Sequence, residues 1–457
     1  MKLLLRTAVG TAAGALLLMT LAAPSQAQPP PSPASATKTV VADAAVPALR
    51  TSLRTGTLAQ QTSTLALCAS AKLLCNAQVL AAHGTTTPLS STAPIGLGAT
   101  DLAQAYNLTG TPQANGTIAI VDAAAYPSAE ADLAVYRKQY HLPACTKITG
   151  CLRVMTYTGG PERTPATTPK GKLIEEIIAV ETSLDLQMAS AACPTCKLVL
   201  LQVPPNDAFL GSLDALHQAE SHFARAVVTA KKAGATSVSI SYGYPADTYS
   251  NQGKPAQLID VTGIAVTAST GDRGFNGPAP SWPANLTTVT AVGGTSLTQS
   301  QVSHQWSESA WNGAGSGCTA DLGPAVGQPT AIAGYCGGHR ASSDISAVAD
   351  PATGVAVYDT WAPSSHQPYN WITVGGTSAS SPFIAGLYSR AGVPAAVHGP
   401  NTIYAVPASA FHDVTSGANA PRGLCSSLTF NERVCTADIG WDGPTGRGTP
   451  VGLTPFG

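Results

Sequence analysis

The stretch TVGGTSASSPFIAG, residues 373–386, reads as the end of a β-strand, a tight glycine turn and the start of an apolar helix. The pair Gly375–Gly376 permits a sharp turn and a close approach by another part of the chain. Ser378 then lies at a helix N-terminus, where the helix dipole stabilises negative charge. That position suits a nucleophile, although a serine there also commonly serves only as a helix cap. The stretch therefore predicts a strand–turn–helix unit with Ser378 as the candidate nucleophile.

Upstream of this stretch, apolar strands alternate with long helices. The predicted strands cover 116–122, 197–203, 236–241, 264–269 and 288–293, and the predicted helices cover 173–192 and 212–233. This alternation indicates an α/β fold with a doubly wound parallel sheet and helices on both faces. We expect a single large catalytic domain over 94–457. Ligands of such sheets bind beyond the carboxyl ends of the strands, so catalytic residues should follow strand ends or begin helices.

A serine nucleophile needs a general base, and the nine histidines offer no clear candidate. In one common triad the aspartate precedes a histidine that opens a helix in a His-Gly-Thr context. The only such context is at residues 83–85, which precede the strand-end acid Asp122 and lie in an irregular part of the chain. A histidine-based triad is therefore not predicted.

The segment EEIIAVETSLDLQ, residues 175–187, offers carboxylates in place of histidine. Glu181 and Asp185 are four residues apart, so on a helix they share one face. Two carboxylates brought together raise the pKa of the pair. Their apolar neighbours indicate that part of the segment faces the interior, but a solvated acidic helix face is the alternative.

The loop STGDRGFNG, residues 269–277, follows a predicted strand directly and carries Asp272 between glycines. An aspartate is common in such turns for local reasons. The functional interpretation is that protonated Asp272 donates a hydrogen bond to a developing oxyanion, as a neutral carboxylic acid can where its environment raises its pKa.

Together these segments resemble the sedolisins, or serine-carboxyl peptidases. The similarity rests on ETSLD (181–185), TGDRG (270–274) and GTSASSP (376–382), in the order found in that family, with SISYG (239–243) and VGGTSL (292–297) between them. It covers residues 95–457. It implies a subtilisin-like fold and a secreted endopeptidase that cleaves proteins or peptides.

The resemblance also assigns roles to the four candidate residues. Ser378 attacks the scissile carbonyl, Glu181 takes its proton, Asp185 supports Glu181, and Asp272 binds the oxyanion together with the Ser378 backbone N–H. A carboxylate base and a neutral carboxylic acid donor have their working protonation states at acidic pH. We therefore predict an acidic optimum.

The C-terminal segments FHDVTSG (411–417) and ADIGWDGPTGRG (437–448) resemble the calcium site of the family. The resemblance implies one structural Ca²⁺, bound by the carboxylates of Asp413 and Asp442 and the backbone carbonyls of Val414, Asp438 and Gly440. Oxygen ligands from flexible loops suit this ion. Asp438 stands where the family more often has glycine, and two acidic surface turns are the alternative.

The start of the chain has the layout of a signal peptide, with basic residues, an apolar run over 8–23 and a small-x-small site ending at Ala27. We predict cleavage after Ala27 and a secreted, extracellular protein. Residues 28–93 are rich in Pro, Ala, Ser and Thr and predict a short pro-segment or linker, with a weak helix near 65–79. This stretch is too short for the pro-segment domain of the family, which leaves self-cleavage and its position open.

The ten cysteines of an exported chain indicate disulfides. The expected sequential pairs are Cys68/Cys75, Cys145/Cys151, Cys193/Cys196, Cys318/Cys336 and Cys425/Cys435.

The amino-acid composition limits the kinds of molecule that the protein could bind. Only 11% of residues are charged and the net charge is −1, so no global field attracts nucleic acid. The resemblance and this balance predict a monomer that acts on protein or peptide substrates, with no membrane association after signal cleavage. Two alternatives are a non-catalytic binding protein on a degenerate peptidase fold and a subtilisin-type peptidase with an unrecognised histidine.

Overall fold

The computed structural model describes residues 39–58, 62–67, 74–85, 88–111, 114–209, 211–275, 277 and 281–457. The predicted signal peptide, residues 1–27, lies outside the described residues, as does Cys68. No described helix combines the length and apolar character that crossing a membrane requires.

The secondary structure alternates between strands and helices along the described chain. The strands are β1 (Thr39–Val40), β2 (Thr62–Ala66), β3 (Gln78–Ala82), β4 (Leu89–Ser91), β5 (Thr117–Ala123), β6 (Leu152–Thr156), β7 (Lys197–Val203), β8 (Ser237–Ile240), β9 (Ala265–Ser269), β10 (Thr290–Gln299), β11 (Trp306–Ala310), β12 (Gly317–Thr319), β13 (Arg340–Ser342), β14 (Ile345–Val348), β15 (Val355–Asp359), β16 (Asn370–Gly375), β17 (Phe411–His412) and β18 (Thr449–Pro450). The helices are α1 (Val46–Arg54), α2 (Ala99–Ala105), α3 (Ala129–Gln139), α4 (Pro169–Ala192), α5 (Leu213–Lys232), α6 (Thr248–Gln252), α7 (Lys254–Ile259), α8 (Thr330–Gly334), α9 (Thr377–Ala391), α10 (Asn401–Ala405) and α11 (Leu424–Ser427).

The larger sheet has eight strands in the order β6-β7-β5-β8-β9-β10-β11, with β14 also paired to β10. Every pair in it is parallel except β10 with β11. The strands are near-continuous apolar runs because both faces of a parallel sheet are covered. The predicted parallel sheet is confirmed, and the five predicted strands begin within two residues of their observed starts.

Alternate side chains of the central strands pack against helices on opposite faces of this sheet. Ile118 and Ile120 of β5 share a buried cluster with Ala179 of α4. Val121, on the other face, packs in a cluster with Phe223 of α5. Helices therefore cover both faces, as the sequence predicts.

Helices α4 and α9 pack closely against each other. A Cβ on Gly386 of α9 would lie 2.5 Å from the Cβ of Ala192, so glycine at this position allows the two backbones to approach. Helix α4 begins at Pro169, where the hydroxyl of Thr168 accepts a hydrogen bond from the Gly171 N–H at 3.1 Å. The packing of α4 against α9 brings the carboxylates of α4 toward the serine of α9.

A second sheet of six strands joins the beginning of the described chain to the strand that precedes Ser378. Its order is β1-β4-β16-β3-β2, with β15 paired to β16. The weak helix predicted near residues 65–79 is wrong: the described parts of that range contain β2 and the start of β3, which pair antiparallel. Long-range pairing with β16 stabilises the extended conformation there, against a weak local helical preference.

Four of the five predicted disulfides are present, Cys145–Cys151, Cys193–Cys196, Cys318–Cys336 and Cys425–Cys435. Cys75 is also disulfide-bonded. Its predicted partner, Cys68, is outside the described residues, so that pairing stays a prediction.

Candidate active site

Ser378 lies in the first turn of α9, immediately after the carboxyl end of β16. Gly376 precedes the helix with φ +107°, a conformation that glycine adopts readily. The Ser378 side chain is fully buried, and its Oγ donates a hydrogen bond of 3.4 Å to the Ser241 carbonyl. The glycine turn thus directs the serine inward, toward the residues that follow β8.

Glu181 and Asp185 project from α4 into the interior, and both are fully buried. The alternative of a solvated acidic face does not apply to them. Asp185 accepts hydrogen bonds of 2.9 and 2.8 Å from the Ser241 hydroxyl on its two oxygens. No described group donates a hydrogen bond with good geometry to either carboxylate oxygen of Glu181. Glu181 therefore has unused acceptor capacity inside the protein.

Burial raises the pKa values of Glu181 and Asp185 well above those of ordinary carboxyls. The carboxylate of Asp122 raises both pKa values further. The Ser378 hydroxyl, as a hydrogen-bonding neighbour, lowers the pKa of Glu181. The Ser378 hydroxyl and the Glu181 carboxyl therefore interact across the contact between α4 and α9.

Asp122 is a third carboxyl of this cluster that sequence reasoning did not assign to the site. It is fully buried near the carboxyl end of β5, and burial raises its pKa to about 7. The sequence signal was an acid that ends an apolar strand, which is where ligands of parallel sheets bind. Nothing in the local sequence indicated that this strand lies beside α4.

Ser241 is a second residue that sequence reasoning missed. Its hydroxyl donates to Asp185, and its carbonyl accepts from the Ser378 hydroxyl. It lies directly after β8, within the segment 239–243. One residue thus contacts two members of the candidate site through different groups.

Asp272 approaches the start of α9 from the loop after β9. Its Oδ1 accepts hydrogen bonds from the backbone N–H of Thr377 at 2.8 Å and from the Thr377 hydroxyl at 3.0 Å. Its Oδ2 is buried and has no hydrogen-bond partner among the described residues. Burial raises the pKa of Asp272 to about 7, while the Thr377 hydrogen bonds act in the opposite direction. A protonated Oδ2 would be a free donor beside Ser378.

Three of the described histidines form pairs with aspartates outside this cluster. His217 pairs with Asp247, His222 with Asp207, and His398 with Asp260. Among the hydrogen bonds of the described residues, none joins a histidine to Ser378. The carboxyl that interacts with the Ser378 hydroxyl is Glu181.

The two C-terminal segments that carry the calcium hypothesis meet in space. The Gly440 N–H donates to Asp413 at 2.9 Å, which brings the first segment against the second. Burial, with a smaller contribution from the nearby Asp413, raises the pKa of Asp442 to about 8. The Asp438 side chain instead pairs with Arg433 at 3.0 Å and accepts from the Ile439 N–H at 2.7 Å, so its backbone carbonyl is the candidate ligand.

These residues match the donor chemistry of Ca²⁺ only in part. Two carboxylates and several backbone carbonyls are oxygen ligands of the right type. However, no cluster of three or more potential metal-binding side chains occurs in the described part of the chain. A site here would depend on backbone carbonyls for most of its ligands.

Comparison with known proteins gives two curated relatives. Kumamolisin of Bacillus sp. (strain MN-32) is 29% identical over 300 residues, which is 60% of this chain and 49% of kumamolisin. Sedolisin of Pseudomonas sp. (strain 101) is 32% identical over 187 residues, 37% of this chain and 28% of sedolisin. The chain thus spans about half or less of the length of the curated relatives it matches. No family model matches the sequence.

Among solved structures, Pseudomonas sedolisin, a serine-carboxyl proteinase complexed with two molecules of pseudo-iodotyrostatin, superimposes with a TM-score of 0.57 at 23% identity. The alignment covers 79% of this chain and 96% of that structure. The parallel sheet and the serine at the start of α9 therefore define a subtilisin-like α/β peptidase fold. Within that class, the chain is similar to the sedolisins, which are serine-carboxyl peptidases.

Proposed function

We propose that this chain is a secreted serine-carboxyl endopeptidase that hydrolyses peptide bonds in proteins at acidic pH. One observation carries the proposal: the fully buried Ser378 is a hydrogen-bonding neighbour of the buried Glu181, and the buried Asp272 binds the adjacent Thr377. A degenerate scaffold would have no need to bury these groups together, since burying unpaired carboxyls is unfavourable.

In the proposed mechanism, the Ser378 Oγ attacks the scissile carbonyl carbon while Glu181 accepts the hydroxyl proton. The Ser241 hydroxyl fixes the position of the Asp185 carboxyl. Asp185 in turn supports Glu181 in its role as the base. The carbonyl oxygen becomes negative as the bond forms. The Ser378 backbone N–H and protonated Asp272 Oδ2 would then stabilise that charge.

The pH requirement follows from these roles. Glu181 must be ionised to act as a base, whereas Asp272 must keep its proton to donate a hydrogen bond. In the active form the two carboxyls therefore hold one proton in total, and that proton is on Asp272. Because burial raises the pKa of Asp272 to about 7, its donor capacity is lost as the pH rises through that value. Activity should consequently be confined to the acidic side of neutrality.

Disulfides support the proposed secretion, because they persist in oxidising compartments. Protein or peptide substrates and a monomeric state complete the proposal. A structural Ca²⁺ would be held by the Asp413 and Asp442 carboxylates with the carbonyls of Val414, Asp438 and Gly440. Its role would be to join the two C-terminal segments and relieve the repulsion between the two carboxylates.

The test is cleavage of a denatured protein substrate from pH 2.5 to 9 by wild type, Ser378→Ala and Glu181→Gln. Activity confined to acid and lost in both variants is expected. Glu175→Gln is the matched control, because Glu175 lies on the same helix but accepts a hydrogen bond from the Ala166 N–H instead. Activity that peaks near neutrality and survives Glu181→Gln would move the base to another residue. Absence of activity at every pH would favour a non-catalytic binding protein.

A further inference from the structure

Residues 74–78 of the chain itself cross the candidate active site in an extended conformation. The backbone of Cys75 forms an isolated antiparallel β-bridge with the backbone of Tyr242. The Asn76 N–H donates to the Ser241 carbonyl at 3.1 Å, and the Gly243 N–H donates to the Leu74 carbonyl at 2.8 Å. Adding a strand to an exposed edge is a general way in which proteins bind extended peptides. Residues 74–76 thus pair with the segment after β8 as a bound peptide would.

The same segment continues past Ser378 on the other side. Gln78 is paired antiparallel with Gly375, and Val79 with Val374 of β16. The Gln78 side chain also donates to the Asp272 carbonyl at 3.2 Å. The chain is therefore anchored both before and after the candidate nucleophile. After cleavage at this point, each product would keep one of the two anchors, whereas the intact chain uses both.

The carbonyl of Asn76 lies at the oxyanion position between these anchors. The Ser378 backbone N–H donates to this oxygen at 3.2 Å. A Cβ on Gly376 would lie 2.2 Å from the Asn76 oxygen and 2.5 Å from Asp272 Oδ2, so both oxygens approach the same glycine. The donor that the mechanism assigns to Ser378 thus binds this carbonyl, and Asp272 Oδ2 lies beside the same glycine. That carbonyl belongs to the peptide bond between Asn76 and Ala77.

The side chain of Asn76 occupies a small polar subsite. Its Nδ2 donates to the Ser269 Oγ at 2.9 Å, and Ser269 is fully buried. A Cβ on Gly243 would come within 3.2 Å of the same Nδ2, so glycine leaves room for the amide. A buried hydroxyl that binds a substrate amide discriminates against side chains that lack it.

We propose that the active site cleaves its own chain between Asn76 and Ala77, and that the subsite formed by Ser269 and Gly243 selects asparagine on the acyl side of the bond. This inference rests on the proposed peptidase function. It places a cut inside the 28–93 segment, at a position that the sequence did not indicate.

The reaction balances with water as the second reactant. The Ser378 Oγ bonds to the Asn76 carbonyl carbon and its proton passes to Glu181. The bond to the Ala77 nitrogen then breaks, and that nitrogen takes the proton from Glu181 to become a free amine. Water hydrolyses the resulting ester, which leaves the Asn76 carboxylate and restores the Ser378 hydroxyl.

The two products should stay associated under native conditions. Strand β2 on one product pairs over five residues with β3 on the other. Val79 and Leu80 are almost fully buried in the core, which keeps the new N-terminal strand in place. Detection therefore requires denaturing, reducing conditions.

The experiment incubates the purified full chain at pH 4 and follows intact mass and the N-terminal sequence. For wild type we expect a fragment that begins AQVLAAHG, at a rate independent of protein concentration, while Ser378→Ala stays whole. Asn76→Ala should slow this cleavage by about 10-fold or more, because it removes the hydrogen bond to the buried Ser269. Asn115→Ala, an exposed asparagine just before β5, is the matched control and should leave the rate unchanged.

A second measurement separates this inference from the proposed function. The processed enzyme is given peptides corresponding to residues 72–81 with either Asn or Ala at the position of Asn76, and an unrelated denatured protein. A preference of about 10-fold in kcat/KM for the Asn peptide is expected. Cleavage of the unrelated protein without cleavage at Asn76–Ala77, or without an Asn preference, would overturn the inference and leave the peptidase function intact. Failure to cleave any substrate would overturn both.

Discussion

Asp272 binds Thr377 through one carboxylate oxygen only: Oδ1 accepts both the backbone N–H and the hydroxyl of Thr377, at 2.8 and 3.0 Å. This contact fixes the carboxyl at the start of α9 and leaves Oδ2 without a hydrogen-bond partner among the described residues. The carboxyl is thereby oriented as well as buried. Its pKa of about 7 favours the neutral acid in weakly acidic solution.

The first prediction concerns that free oxygen. Asp272→Ala should lower kcat by about 10²–10³-fold, because it removes one donor to the oxyanion. Asp272→Asn keeps an N–H donor that does not ionise, so it should lose less activity. Its rate should also lack the decline near pH 7 that deprotonation of Asp272 causes in the wild type. The check is kcat against pH for both variants, and equal losses with unchanged profiles would exclude a donor role.

The second prediction concerns Asp122. Burial raises the pKa of Asp122 to about 7, and its negative charge, once formed, raises the pKa of Glu181. Asp122→Asn removes that charge, and Glu181 should then ionise at a lower pH. We expect the acidic limb of kcat/KM to move to lower pH by about one unit.

The matched control for Asp122 is Glu220→Gln. Glu220 is also a buried carboxyl with a pKa raised to about 7, but it accepts its hydrogen bond from Ser250. This variant should leave the acidic limb in place. If Asp122→Asn leaves the limb in place too, Asp122 does not govern the ionisation of Glu181.

Short segments made Ser378, Glu181 and Asp185 candidates, because Ser378 follows a glycine turn and the two carboxyls share a helical face. Their roles came from the resemblance to the sedolisins and stay predictions. Ser241 could not be assigned a role, because its contacts with Asp185 and Ser378 join positions that are distant in sequence. Asp122 likewise acquires its role only when β5 is packed beside α4.

The same limit explains the misread segment near residues 65–79. Its extended conformation depends on β16, whose residues lie almost three hundred positions further along the chain. Local propensity has no information about such a partner. The alternating strands and helices of the large sheet were predictable because each is long and strongly apolar.

The third prediction concerns calcium. If Asp413 and Asp442 help to bind Ca²⁺, adding millimolar Ca²⁺ should raise the Tm of Ser378→Ala, the background that prevents self-digestion. Asp413→Asn in that background should reduce the response. Asp214→Asn, which changes an exposed acid at the start of α5, should not reduce it. An unchanged Tm with Ca²⁺ and with a chelator would favour two acidic surface turns.

The fourth prediction concerns the buried ion pair between Arg340 and Asp344. The guanidinium binds both carboxylate oxygens, at 2.6 and 2.7 Å, and both side chains are fully buried. Arg340→Ala should destabilise the protein by about 3–5 kcal/mol, because the Asp344 carboxylate would remain buried without its cation. Urea unfolding of this variant in the Ser378→Ala background measures the change.

The matched control for that pair is the exposed ion pair of Lys147 and Glu162, whose atoms are 2.7 Å apart. Lys147→Ala should change the free energy of unfolding by less than about 1 kcal/mol, since solvent screens the pair. Similar losses in the two variants would show that burial does not determine the importance of Arg340.

The fifth prediction concerns stability against pH. The pKa values of Asp122 and Asp272 are about 7 in the folded protein and near 3.8 for an exposed aspartate. Between these values the folded state binds more protons than the unfolded state, so the free energy of unfolding must fall as the pH rises. The Tm of Ser378→Ala should therefore be higher at pH 5 than at pH 7.5, by a few degrees. Asp272→Asn in the same background cannot ionise at this position, so the difference should shrink. A Tm that rises from pH 5 to pH 7.5 would contradict the raised pKa values of these carboxyls.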